Sequence, residues 1–131
     1  MARTKSRTLT ELELQIMSVV WQKEEVTVDE VREALERQGK RLALPSVRTM
    51  LGILQTKGYV TRRAVGRAHA YRAAVSRYKA RRSIVRDIVR RAFNGSASSL
   101  VAALLGGSVT SKREMEKIKE LIRELEKGDK T

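Results

Sequence analysis

Three Ser/Thr-x-x-Glu boxes dictate where helices begin in this chain: Thr10 with Glu13, Thr27 with Glu30, and Ser111 with Glu114. In each, the hydroxyl can accept from the amide three residues on, and the glutamate can reach back to the cap amide. Leu9 with Leu14 and Val26 with Val31 are spaced as hydrophobic staples around the first two boxes. Apolar residues at helical spacing follow. Leu12, Ile16, Val19 and Val20 predict a helix over 11–23, and Val28, Val31, Ala34 and Leu35 predict one over 28–38, stopped by Gly39. A third helix is predicted over 45–57, with Pro45 in its first turn, Gly58 past its end and an apolar stripe of Val47, Met50, Leu51 and Leu54. Residues 59–65 and 68–73 then read as two strands around Gly66-Arg67. Three helices and a hairpin in that order form a winged helix, a relative of helix-turn-helix.

The pattern changes after Ser76. Ile84, Val85, Ile88, Val89 and Phe93 share one face of a helix predicted over 77–92. Asn94-Gly95-Ser96 breaks it, a short amphipathic stretch follows at Leu100, Val101, Leu104 and Leu105, and Gly106-Gly107 breaks the chain again. Met115, Ile118, Leu121, Ile122 and Leu125 stripe the last helix at near-heptad spacing, and Gly128–Thr131 is expected to fray. These faces have little of their own chain to cover them, so a second copy is the natural cover. The candidate dimer contacts are Ile84, Val85, Ile88, Val89, Phe93, Leu100, Leu104, Met115, Ile118, Ile122 and Leu125. Packing within one chain is the alternative use of the same stripes. The fold expected is mainly α with a small β-hairpin: a winged helix-turn-helix DNA-binding domain over 1–75, followed by a helical dimerisation domain over 76–131.

Charge locates the candidate binding surface. Between Arg37 and Arg91 there are 16 lysines and arginines and one acid, Asp87, whereas residues 1–36 carry 5 basic and 8 acidic side chains and residues 92–131 carry 7 and 6. The net charge of +13 therefore belongs to the middle of the chain. Because that block is interleaved with apolar residues it should fold, and a folded basic surface is the footprint of a phosphate-backbone binder. Pro45, Ser46, Arg48, Thr49, Gly52 and Thr56 lie away from the apolar stripe of the third helix, where Arg48 can donate to guanine and Thr49 can meet a base edge. Arg62, Arg63, Arg67 and Arg72 sit on or beside the wing as candidate phosphate contacts. A solvated helix face and a hairpin with charged edges are the plainer accounts of the same residues. Arg3, Lys5 and Arg7 offer a basic arm. His69 reads as a half-exposed strand residue and Trp21 as core packing on the first helix, near Val20 and Leu35.

Other classes find little support. With no cysteine and one histidine, neither a disulfide framework nor an ordinary zinc site can be built, and no cofactor is expected. Five aromatic residues are too few for single-strand stacking platforms. No catalytic constellation is present, so no enzyme is expected. The basic start lacks a following apolar run, and Leu100–Leu105 is far too short to span a bilayer, so a cytoplasmic protein without membrane insertion is expected.

Several stretches together resemble the penicillinase-repressor family, the BlaI/MecI/CopY group: Leu9–Glu13, Trp21, Val26–Val31, Ala43–Leu51 with Leu54 and Lys57-Gly58, Gly66-Arg67 with Tyr71, and Phe93–Ser96 before Leu100–Leu105. The resemblance runs from Thr8 to Glu126. It implies a dimeric repressor of double-stranded operator DNA. For the antibiotic-responsive branch it also implies a membrane metalloprotease sensor and cleavage within the dimerisation region. The Cys-rich tail of the copper-responsive branch is missing here. Leu44 and Ile53 depart from residues usual in the family's reading helix, so the operator sequence does not carry over. A non-specific architectural DNA-binding protein is the competing function, since the charge alone would suffice for it.

Overall fold

The computed structural model describes residues 8–129. The basic arm at Arg3, Lys5 and Arg7 lies outside them, as do Lys130 and Thr131. The chain divides into two compact units, up to Val85 and from Arg86 onward.

The first unit contains α1 (Glu11–Gln22), β1 (Val26–Thr27), α2 (Val28–Arg37), α3 (Leu44–Thr56), β2 (Val60–Val65) and β3 (Ala68–Ala73), and the start of α4 (Arg77–Ala92). The capping boxes of α1 and α2 both close. Thr10 Oγ1 accepts from Glu13 N at 3.2 Å while Thr10 N donates to Glu13 Oε1 at 2.8 Å; Thr27 and Glu30 repeat this at 3.2 and 2.9 Å. α3 ends in a Schellman turn: Gly58, at φ +87°, donates to Gln55 O at 3.0 Å, and Tyr59 N donates to Leu54 O at 2.9 Å. That left-handed residue turns the chain directly into β2.

β1 makes the hairpin a sheet of three antiparallel strands, ordered β1-β3-β2. It pairs Val26 with Tyr71 and Thr27 with Ala70. The core beneath joins Ile16, Met17 and Val20 of α1, Val31 and Leu35 of α2, and Val47, Leu51 and Leu54 of α3 to Val26, Val60 and Tyr71 of the sheet. Burying each large apolar side chain contributes roughly 1.5–3 kcal/mol, so this cluster dominates the stability of the unit.

One ion pair is buried at its edge. Lys57 Nζ lies 2.7 Å from Glu13 Oε1, with side chains 9% and 3% exposed, and also donates to Thr8 O at 2.9 Å. It ties the start of α1 to the end of α3. Burial alone would push the Glu13 carboxyl up, but Lys57 and the Thr10 amide outweigh it and hold the group below its ordinary range.

Trp21 packs at the edge of the core, as expected, and has a second task. Its Nε1 donates to Val75 O at 2.9 Å, and the Arg77 guanidinium stands 5.6 Å from its ring centroid. With Ala80 fully buried, these contacts fasten the beginning of α4 to the winged helix.

The second unit holds the end of α4, α5 (Ala97–Gly106) and α6 (Lys112–Asp129). Asn94 and Gly95, at φ 50° and 84°, end α4. Ser96 caps α5 through Ser99 N, and Ser111 caps α6 through Glu114 N, both at 3.1 Å. The third box closes on one side only, because the Glu114 carboxylate turns to Lys117. α6 continues helical through Gly128, where fraying was expected.

Candidate nucleic-acid interface

α3 presents a bare face. Pro45, Ser46, Arg48, Thr49 and Thr56 are exposed and Gly52 is half-buried, while Val47, Leu51 and Leu54 face inward. Arg48 has no acidic partner among the described residues. The Thr56 hydroxyl donates back to Gly52 O at 3.1 Å, so it is free only to accept from outside. Four hydroxyl side chains cap α1, α2, α5 and α6, and Ser76 Oγ accepts from Lys79 N at the start of α4. α3 alone begins with an uncapped residue, Ala43; like α4 and α5, it has no acid in its first turn. Of its first amides only that of Leu44 is left for an outside acceptor, because Pro45 has no N–H and Ser46 N and Val47 N donate to Ala43 O at 3.0 and 3.2 Å.

Gly52 is informative because the fold does not need it. A Cβ built there meets nothing within 4 Å, and its φ lies outside the left-handed region. A mid-helix glycine without a packing reason costs about 0.5–1 kcal/mol relative to alanine. Gly52→Ala is accordingly expected to raise thermal stability, read by far-UV circular dichroism, while weakening DNA binding if another molecule approaches closely here. Tighter binding by the alanine variant would remove Gly52 from the interface.

The wing arginines divide by face. Register pairs Arg62 with Tyr71, Arg63 with Ala70 and Thr61 with Arg72, which puts Arg62 on the side of Tyr71 and puts Arg63 and Arg72 on the opposite side. Arg67 occupies the turn after Gly66, whose φ of +62° suits the first position of a tight hairpin. Arg62 and Arg67 have no carboxylate partner among the described residues. Arg63 is engaged: its Nε and Nη2 donate to Glu25 Oε2 and Oε1 at 2.6 and 2.7 Å, a bidentate fork that holds the Glu25 carboxyl below its ordinary range. Arg72 Nη2 lies 3.6 Å from Glu24 Oε1. Nothing local in the sequence marks Glu25 as a wing residue, since 38 positions separate it from Arg63. His69 is exposed on β3 opposite Ala64.

In the second unit the apolar stripes are only half covered. Val89, Phe93, Leu100, Leu104, Met115 and Ile118 are intermediate, and Ile88, Ile122 and Leu125 are exposed. Ile84 is intermediate and Val85 exposed at the end of the first unit. Val101, Leu105 and Leu121 add to the exposed set. Among the described residues, none after Ala80 is buried.

The family model for penicillinase repressors matches residues 9–124. The chain belongs to the penicillinase repressor family. Members are DNA-binding transcription regulators, not enzymes. No curated protein sequence matches. The solution structure of the DNA-binding domain of the repressor BlaI is similar over 59% of this chain and 93% of that one, at 23% identity and a TM-score of 0.51. The structure of RosR from H. salinarum is similar over 95% of this chain and 99% of that one, at 15% identity and a TM-score of 0.50. Both likenesses are of fold: the first supports the winged helix, the second extends into the C-terminal helices. Among the described residues no helix is long and apolar enough to cross a membrane.

Proposed function

We propose that this family member is a homodimeric, sequence-specific repressor acting in the cytoplasm. Its α3 enters the major groove of each half of a pseudo-palindromic operator. Arg48 and Thr49 address base edges, Pro45, Ser46, Gly52 and Thr56 line the approach, and the wing meets the backbone through Arg62 and Arg67. The observation that carries this is the bare, uncapped face of α3, where an unpaired Arg48 stands one turn from a glycine that no packing requires. Dimerisation is supported by the uncovered apolar residues of α4, α5 and α6. Derepression by proteolysis in the family's manner, through a membrane metalloprotease sensor, would act on the 92–96 junction, where Asn94 and Gly95 are exposed and leave helical geometry.

The test is Arg48→Ala, measured by fluorescence anisotropy on the tightest duplex selected from a randomised pool and on scrambled duplex. The selected duplex should lose about 1–3 kcal/mol, with relaxed preference at one base pair per half-site. Equal loss on both duplexes would make Arg48 a backbone contact. Failure of the wild-type protein to select any duplex would favour the architectural function instead.

A further inference from the structure

Every wing residue from Thr61 to His69 is exposed. No buried side chain therefore sets the direction of the hairpin beyond its base at Val60, Ala70 and Tyr71. β1 holds β3 through two register pairs and makes none with β2. The Glu25–Arg63 fork supplies the missing connection. Arg63 is in register with Ala70, and Ala70 with Thr27, so the arginine reaches across the central strand to a carboxylate on the α1–β1 connection. Two strand spacings amount to roughly 10 Å, a distance that suits a long side chain. Ala70, with only a methyl group, leaves the path clear. Glu24 and Arg72 add a second, longer contact, and all four side chains line one recess.

Glu25 has the wrong charge to touch DNA. Beside a polyanion it should oppose binding unless it serves geometry. An isolated exposed ion pair holds little, but a bidentate arginine fork fixes direction as well as distance.

We propose that Glu25 and Arg63 are positioning residues for DNA recognition: their fork braces the outer wing strand against the helical body, so that Arg67 meets the backbone while α3 is seated in the groove, and Arg63 is not itself a phosphate contact. This rests on the assignment of α3 and the wing to DNA. The two ways of regarding Glu25 differ in sign. If it acts only as a charge, Glu25→Gln removes a repulsion, releases Arg63 and tightens binding to every duplex. If it is a brace, the same change weakens binding to the preferred sequence and spares random DNA, where wing geometry matters less.

The full chain is used, with the tightest duplex that the wild-type protein selects from a randomised pool and a scrambled duplex of equal length. Glu25→Gln should lose about fivefold or more on the selected duplex, the scale of a lost charge-assisted fork, with no loss on the scrambled one. The exchange Glu25→Arg with Arg63→Glu leaves net charge unchanged and should recover most of the loss, with thermal melts confirming that both variants fold. Tighter or unchanged binding by Glu25→Gln, or an exchange variant weaker than Glu25→Gln, overturns the brace. If no duplex is selected at all, sequence-specific binding fails first and the brace falls with it. Successful selection followed by tightening sinks the brace alone.

Discussion

Ile88→Asp is expected to leave a folded monomer that binds the selected duplex about 10²-fold or more weakly than the wild-type protein. Ile88 is 42% exposed on α4, beyond the buried core of the first unit, so an aspartate there costs the single chain little. Opposite its symmetry mate, the same aspartate would bury a charge beside a like charge and an apolar surface. The affinity loss follows from geometry. One winged helix offers one reading helix, whereas two on a common axis make the second contact intramolecular. Sedimentation velocity reads the assembly state and anisotropy the affinity. A variant that stays dimeric, or a monomer that binds as tightly as the wild type, contradicts the proposed dimer control.

Lys57→Met should destabilise the protein by about 3–5 kcal/mol, because it strands the Glu13 carboxylate in a buried site. The methionine stem keeps most of the lysine's packing, so the loss is chiefly electrostatic. The effect has a pH signature with a defined sign. Glu13's folded-state value is depressed below its unfolded one, so the pair's contribution is complete above the ordinary carboxylate range and disappears as pH falls through the folded value. The stability gap between wild type and variant, from urea melts, should therefore narrow below about pH 4. A gap that is constant down to pH 3 would assign the loss to packing. Glu13→Leu with Lys57→Met, which removes both charges, should recover most of the stability.

What could be read from the sequence was what local chemistry encodes. The Thr10–Glu13 and Thr27–Glu30 boxes close within three residues, so their spacing alone located α1 and α2. Gly58 and Gly66 marked the end of α3 and the wing turn because both need positive φ. The apolar periods of α4 and α6 placed those helices because side chains three and four residues apart share one helix face. β1 was not legible: two residues have no period, and they are a strand only because β3 lies beside them. The Glu13–Lys57 pair joins residues 44 apart and looks in sequence like a cap and a surface lysine. Arg63 shows the limit most clearly. Its residue type and place on a wing arginine run match those of Arg62, yet the pleat turns the two to opposite sides and only one finds a carboxylate.

The only tryptophan sits where the wing's exit meets α4, its indole N–H bonded to Val75 O and its ring beneath Arg77. The molecule thus carries a native optical probe at that junction. Its emission will shift to the red when water reaches the indole, whether the 74–77 segment peels away locally or the whole winged helix melts. Comparing that signal with helix content from circular dichroism separates the two events without any introduced label.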